Sequence, residues 1–243
     1  MTRDFSPQTT NGEKPSTKFA AEPAKRRFDS LVWNGTAFAI AVALATAILA
    51  VEGTDPESLR DALRLTGRWS FLVFWLAYAG GSIAALFGSA FARLAGRGRD
   101  FGLAYASAQL VHLGLVIWLF IITLRPPLIG KALVFFTVGM IVTYLLALFS
   151  VGAMSKLLGS RVWRALRIAG LNYIMFVFAL DFVPRAIHET SDDGIRRLVE
   201  YAPFAAMCLA APILVLAAAA QRRLTIRNMK PAVHRPSIDV ARL

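Results

Sequence analysis

Residues 103–124 read LAYASAQLVHLGLVIWLFIITL and contain no Asp, Glu, Lys or Arg. A helix needs about 20 apolar residues to cross the roughly 30 Å hydrocarbon core of a bilayer, because its backbone polar groups cannot be left unpaired in lipid. This run therefore predicts a transmembrane helix. With five further apolar runs, the predicted spans are Leu31–Val51, Ser70–Phe91, Leu103–Leu124, Ala132–Val151, Ile168–Val183 and Ala202–Ala220. The fifth is short, so we expect its helix to begin earlier, near Trp163.

The overall composition also indicates a membrane protein. Of the 243 residues, 56% are hydrophobic, which exceeds the apolar content of an ordinary soluble domain. The net charge of +12 would also suit a nucleic-acid partner, but the basic residues lie beside the apolar runs, and membrane topology explains them better. We predict an all-α polytopic bundle with a disordered basic cytoplasmic tail at 1–30, six transmembrane helices within 31–220 and a second basic cytoplasmic tail at 221–243.

The orientation of the bundle follows from its loops, because Lys and Arg collect on the cytoplasmic side. If the N-terminus is cytoplasmic, the cytoplasmic segments hold 19 Lys and Arg residues and the outside loops hold 8. Both termini are therefore predicted to be cytoplasmic. In the first outside loop, Asp55 followed by Pro56 is typical of a helix start and predicts a short surface helix. The residues 191–193, Ser-Asp-Asp, similarly predict the start of a helical turn that runs through Arg196 and Arg197.

Polar side chains at membrane depth are the candidate functional residues, since each costs free energy unless it meets a partner, a cavity or a ligand. Tyr105, Gln109 and His112 are spaced four and three apart in the third span, which puts them on one helical face directed into the bundle, with the fifth span expected beside them. A buried imidazole is a good metal or haem-iron ligand. The alternative is that His112 only hydrogen-bonds a neighbouring helix.

Other polar and small residues have structural interpretations. Asn172 in the fifth span is expected to hydrogen-bond another helix, and Asp181 is expected to pair with Arg185 one turn later. A strip of small residues in the second span would let another helix, or a flat cofactor, approach closely. Its members are Ala77, Gly81, Ala85 and Gly88. The basic stretch at 222–230 indicates attraction to anionic lipid.

Several kinds of chemistry find no support in the sequence. Cys208 is the only cysteine, so neither an intrachain disulfide nor a cysteine metal cluster can form. The sequence has no Gly-rich phosphate loop, zinc-ligand spacing or nucleophile elbow. The tail at 221–243 is too short for a nucleotide-binding domain, so any electron donor would be another chain or a membrane quinone.

Two motifs resemble the ferric-reductase-like transmembrane family, which includes the haem-bearing membrane subunit of the bacterial methionine-sulfoxide reductase system. The motifs are LTGRW at 65–69 and RGRDFGL at 97–103, with His112 ten positions after Gly102. The resemblance covers roughly residues 65–183. It implies a bacterial inner (plasma) membrane protein whose six-helix bundle holds haem b between histidines of the third and fifth helices and transfers electrons.

The chain departs from this family in its fifth helix. By the resemblance, His112 matches the third-helix haem ligand, but Arg167 and Leu180 stand where the two fifth-helix histidines are expected. Neither Arg nor Leu coordinates iron. Three interpretations remain: a five-coordinate haem on His112, a second ligand from another chain or from Met175, or a relative that has lost the cofactor.

Two functions therefore compete. One is a transmembrane electron-transfer subunit with at most one haem b, for which His112 is the metal ligand and Gln109 and Tyr105 are cofactor-binding residues. The other is a cofactor-free membrane scaffold or partner-binding subunit. A small-solute carrier is a weaker candidate, because it would carry more charged or broken-helix features at mid-membrane.

The orientation is testable with single cysteines in a Cys208→Ala variant, labelled with an impermeant thiol reagent in intact cells. We expect Asp192→Cys to be labelled and Arg99→Cys to be protected, because the distribution of Lys and Arg places residue 99 on the cytoplasmic side. Labelling at 99 together with protection at 192 would overturn the topology.

Overall fold

A computed structural model describes residues 18–125, 130–151, 158–187 and 194–229 of the chain. Seven α-helices run through these ranges, and no strand occurs in them. They are α1 (Lys18–Glu52), α2 (Pro56–Phe87), α3 (Ala92–Gly96), α4 (Gly98–Thr123), α5 (Lys131–Ser150), α6 (Gly159–Ile187) and α7 (Gly194–Met229). All except α3 are long and apolar enough to cross a membrane. The predicted all-α bundle with six membrane-crossing helices is confirmed.

Several helices extend beyond the predicted spans. The first begins at Lys18, inside the N-terminal tail that the sequence predicts to be disordered, and residues 1–17 lie outside the described ranges. As expected, α6 begins before Trp163, and it continues through Pro184. The helical turn predicted through Arg196 and Arg197 is part of α7, which begins at Gly194, and the predicted start of that turn at 191–193 lies outside the described ranges.

The prediction of a separate surface helix before the second span is wrong. The predicted start is confirmed, because Asp55 caps α2 and its carboxylate accepts hydrogen bonds from the backbone N–H groups of Glu57 (2.7 Å) and Ser58 (2.9 Å). The Ser58 and Glu57 N–H groups lower the pKa of Asp55. From this cap, however, α2 runs unbroken for 32 residues, about 48 Å.

The reason for this continuity is that the two predicted pieces share one apolar face. Leu59 and Ala62 are completely buried against Ala45 of α1 and Leu115 of α4. Further along α2, the equally buried Phe71 and Phe74 belong to the main core. Between these two sets of buried residues, α2 contains no proline, and none of its residues has a positive φ.

Helix α2 forms the centre of the bundle and packs against α1, α4 and α7. Its two tryptophans tie it to its neighbours, since Trp69 Nε1 donates to the Ala37 carbonyl of α1 and Trp75 Nε1 donates to the Met207 carbonyl of α7, both at 3.0 Å. The Phe71 ring contacts the rings of Phe182 on α6 and Phe204 on α7. These hydrogen bonds and ring contacts thus hold three helices, α1, α6 and α7, around α2.

Helix α2 also ends earlier than predicted, at the end that the sequence predicts to be cytoplasmic. The helix stops at Phe87, before the predicted Phe91, because Gly88 has φ +83° and breaks the helical conformation. A 3₁₀ turn and α3 then fold back against α2. The close approach occurs at Gly80, where an added Cβ would lie 3.4 Å from Leu94 Cβ, whereas Gly81 of the predicted strip meets nothing within 4 Å.

Helix α5 is peripheral and packs mainly against α6. Their contact depends on Gly170, where an added Cβ would lie 2.8 Å from Leu146 Cδ1 and 3.0 Å from Val142 Cγ1. On the opposite side of the same contact, Gly139 faces Val177. Two glycines therefore allow α5 and α6 to approach each other closely.

Replacing Gly170 tests this contact. We expect Gly170→Leu to lower the free energy of unfolding by about 1–3 kcal/mol, because the new side chain overlaps Leu146 and Val142. Gly81→Leu is the matched control, since that position is open. Thermal unfolding of both variants in detergent measures the difference, and equal melting temperatures would contradict the close contact.

Candidate functional site

His112 lies in the second half of α4 and faces α2. Its ring Nδ1 is 3.2 Å from Thr66 Oγ1. Because the Thr66 hydroxyl donates to the Ala62 carbonyl at 2.8 Å, its oxygen is free to accept a hydrogen bond from Nδ1–H. The imidazole therefore makes the interhelical hydrogen bond that is expected if His112 has a structural role.

Packing also holds the imidazole against α2. A Cβ added at Gly67 would lie 3.3 Å from His112 Cε1 and 3.7 Å from Nδ1. The absence of a side chain at Gly67 is what makes room for the ring. Both Thr66 and Gly67 belong to the motif at 65–69, so in this chain the motif provides the surface on which the His112 side chain packs.

Tyr105 lies two helical turns before His112 and is fully paired. Its hydroxyl is 3.3 Å from Thr143 Oγ1, and the Thr143 hydroxyl itself donates to the Gly139 carbonyl at 2.8 Å. The Tyr105 hydroxyl is therefore the donor of the pair. Its ring contacts those of Phe74 (centroids 5.1 Å apart) and Phe178 (6.1 Å), which also contact each other.

These three rings pack against one another between α2, α4 and α6. They bring Tyr105 to the fifth span as expected, whereas the polar contacts of Gln109 and His112 are made with α5 and α2. Met175 is buried in the main core, and Leu180 is 39% exposed on the outside of the bundle. These residues do not fit a haem held between the third and fifth spans.

Gln109 is one of five described residues with a buried side-chain polar atom that lacks a hydrogen-bond partner; the others are Asn34, Arg68, Ser70 and Tyr144. Gln109 is only 8% exposed, and its Nε2 donates to Met140 Sδ of α5 at 3.4 Å. Its Oε1 is buried without a hydrogen-bond partner among the described residues, and the Tyr144 hydroxyl of α5 is in the same state. Two unpaired polar atoms therefore lie on neighbouring helices within the membrane-crossing part of the chain.

A groove between α4 and α5 lies beside this pair. It is almost entirely apolar, and Met140 and Tyr144 form part of its wall one helical turn apart. The other lining residues are Leu113, Thr137, Ile141, Leu145 and Leu148. Of these, Ile141, Leu145 and Leu148 are among the exposed apolar side chains of α5, so the groove opens on the outer surface of the bundle.

The two remaining polar predictions for the fifth span are confirmed. The Tyr78 hydroxyl of α2 donates to Asn172 Oδ1 at 2.8 Å, which is the expected interhelical hydrogen bond. Arg185 Nη2 lies 2.6 Å from Asp181 Oδ1, which is the expected ion pair. Both residues therefore have structural partners within the bundle.

Sequence reasoning missed an arginine cluster at the opposite end of the bundle from α3. Arg68 of α2 pairs with Glu200 of α7 at 3.2 Å, and its guanidinium lies 4.8 Å from the ring centroid of Tyr201. Arg185 Nη1 is 3.5 Å from the Tyr201 hydroxyl. The partners Arg68 and Glu200 are 132 positions apart, and no periodicity in the sequence links positions so distant.

Sequence reasoning also missed a cavity of about 230 Å³ between α2, α4, α5 and α6. Its lining includes Arg99 at the start of α4 and Arg167 near the start of α6, together with Tyr105 and Thr143. His112 lines neither this cavity nor the groove. Arg167, which takes the place of the first fifth-helix histidine in the resemblance, thus lines a space separate from His112.

A cluster of metal ligands is not found in the described ranges, where no three His, Cys, Asp or Glu side chains come together. The sequence matches no protein-family model, and searches of curated proteins and of solved structures give no match either. The resemblance to the ferric-reductase-like family stays a prediction, as does cofactor binding by His112, Gln109 and Tyr105.

A double-mutant cycle tests the packing of His112 on Gly67. Gly67→Ala should gain helix propensity, worth up to about 1 kcal/mol, but crowding against the imidazole opposes that gain. We therefore expect Gly67→Ala to be more favourable in a His112→Ala background than in the wild type, with a coupling of about 0.5 kcal/mol or more in thermal unfolding.

The control for this cycle is Gly81→Ala, which meets nothing within 4 Å and should act additively with His112→Ala. Additive behaviour of Gly67→Ala would show that the imidazole does not pack on Gly67. His112→Ala alone should lower stability by about 1 kcal/mol, the usual cost of losing one interhelical hydrogen bond in a membrane protein.

Proposed function

We propose that this chain is a cofactor-free membrane subunit that binds a transmembrane helix of another protein in the groove between α4 and α5. The observation that carries the proposal is the buried, unpaired Oε1 of Gln109, whose Nε2 donates to Met140 in the wall of that groove. Lipid tails offer no hydrogen-bond donor, so an unpaired carbonyl oxygen at this depth costs free energy. A partner helix that carries a hydroxyl or amide donor would remove this cost.

The surroundings of the groove support a helix as the partner. Helix α5 is peripheral, contacts α6 and α4, and carries exposed apolar side chains, among them Val134, Ile141 and Leu148. The groove combines this apolar surface with the unpaired Tyr144 hydroxyl, and Gln109 is hydrogen-bonded to Met140 in its wall. Helices associate in membranes through close packing together with interhelical hydrogen bonds, and the groove offers both.

The residues of the fifth span, rather than the contacts of His112, favour the cofactor-free function over the electron-transfer alternative. The hydrogen bond at Nδ1 of His112 leaves Nε2 able to coordinate a metal. On the fifth span, however, Phe178 packs against Phe74 and Tyr105, and Met175 is buried in the main core. Arg167 and Leu180 cannot coordinate iron. In this proposal side-chain packing takes the place of a haem pocket, and the bundle acts as a scaffold.

A photo-crosslinking amino acid at Ile141 tests the partner site in cells. Ile141 lines the groove and is 54% exposed, and Ile213 on α7, which is 65% exposed, is the matched control. We expect one discrete adduct from position 141 that is absent from position 213 and is reduced by Gln109→Leu. Mass spectrometry of the adduct separates a different chain from a second copy of this one.

The stability of Gln109→Leu distinguishes a docking residue from a packing residue. Because Oε1 is unpaired, we expect the isolated variant to unfold at the same or a higher temperature while the adduct is lost. Adducts at 141 that are unaffected by Gln109→Leu would reject the partner site. Stoichiometric haem in the absorption spectrum of the wild-type protein, expressed with adequate haem and lost in His112→Ala, would reject the cofactor-free function.

A further inference from the structure

We infer that the cavity between α2, α4, α5 and α6 binds the head group of an anionic membrane phospholipid. The inference does not depend on the partner groove, which lies between α4 and α5 and shares no lining residue with the cavity. It rests on the charge at the rim of the cavity, the apolar character of its floor and its depth in the membrane.

The rim of the cavity is cationic. Arg99 and Arg167 are exposed, and both line the cavity. The ion pairs seen in the described ranges do not include either residue, and the neighbouring Asp100 does not line the cavity. A guanidinium group binds phosphate oxygens through two parallel hydrogen bonds, so two such groups at one opening favour a phosphate.

The start of α4 adds to this positive potential. Gly98 and Gly102 line the cavity, and the N-cap position, Arg97, makes no side-chain hydrogen bond to the first turn. The free N–H groups of a helix start carry partial positive charge and favour an anion. An added Cβ at Gly102 would meet nothing within 4 Å, so this glycine leaves the cavity open.

The floor of the cavity consists of apolar side chains and of hydroxyl groups that already have hydrogen-bond partners. Phe74 and Ile174 are buried there, and the Tyr105 and Thr143 hydroxyls are paired with each other. A phosphate seated at the rim would therefore meet apolar surface beneath it. This arrangement matches a lipid, in which the charged head group is joined to apolar chains, better than a free phosphate ion.

The position of the cavity in the membrane agrees with a lipid. Arg99 is the second residue of α4, and Trp163 lies in the first turns of α6, so both sit where these spans leave the hydrocarbon. Tryptophan is enriched at that interface. Basic pockets between transmembrane helices on the cytoplasmic side are known to bind phosphorylated lipid head groups, and the sequence predicts that this end is cytoplasmic.

Native mass spectrometry of the full chain in detergent tests the site. The probes are dioleoylphosphatidylglycerol, dioleoylphosphatidylcholine and inorganic phosphate. We expect phosphatidylglycerol to bind more tightly than either of the others, and Arg99→Gln and Arg167→Gln each to weaken its binding about fivefold. Arg164→Gln is the control, because Arg164 is one turn from Arg167, is exposed and does not line the cavity.

A second pair of variants tests the cavity itself. Gly102→Leu fills it and should abolish the preference for phosphatidylglycerol, whereas Gly114→Leu places the same side chain on the same helix at another open position and should retain the preference. Equal binding of the two phospholipids, or equal effects of the two glycine variants, would overturn the inference. If inorganic phosphate binds as tightly as phosphatidylglycerol, the site recognises a free phosphate ion, and the proposal of a lipid ligand is wrong. If Gly102→Leu fails to fold, the arginine variants decide.

Discussion

A polar side chain inside a bilayer has no water to bind, so it must find its partner within the protein. Most polar contacts in this bundle follow from that constraint. Trp69 and Trp75 of α2 donate to backbone carbonyls of α1 and α7. Tyr78 donates to Asn172 of α6, and His112 of α4 meets Thr66. Four neighbours are thus joined to one central helix by hydrogen bonds that lipid cannot replace.

The constraint also identifies the places where the chain is incomplete. The oxygen of Gln109 and the hydroxyl of Tyr144 have no partner among the described residues, and the nearby groove is apolar and open to the outside. At one end of the bundle, Arg99 and Arg167 line a cavity whose floor is apolar. In both cases the unsatisfied groups indicate the chemistry of what would bind: a helix with a hydrogen-bond donor, and a lipid with an anionic head group.

The motifs that resemble the ferric-reductase-like family take structural roles in this chain. Thr66 and Gly67 form the surface of α2 on which the His112 ring packs. Arg68, from the same motif, pairs with Glu200. In the second motif, Arg99 and Gly102 line the cavity at the start of α4. Each of these roles is explained by packing, pairing or space, without an iron ligand.

The sequence by itself determined the class of fold, the number of membrane-crossing helices and the local pairs. Apolar length requires a helix to cross the bilayer, and spacing along a helix requires Asp181 to meet Arg185, so both were predictable. The same reasoning predicted the capped start of α2 at Asp55 but split that helix in two, because local signals do not show that the apolar faces on either side of Thr66 are continuous.

Only the tertiary structure decided which neighbour each polar side chain meets. Tyr105, Gln109 and His112 share one helical face, yet they reach Thr143, Met140 and Thr66 on two different helices. The order and crossing of helices in space set these contacts, and helical periodicity describes only one helix at a time. For the same reason, the pairing of Arg68 with Glu200 and the shared cavity of Arg99 and Arg167 emerged only from the packed bundle.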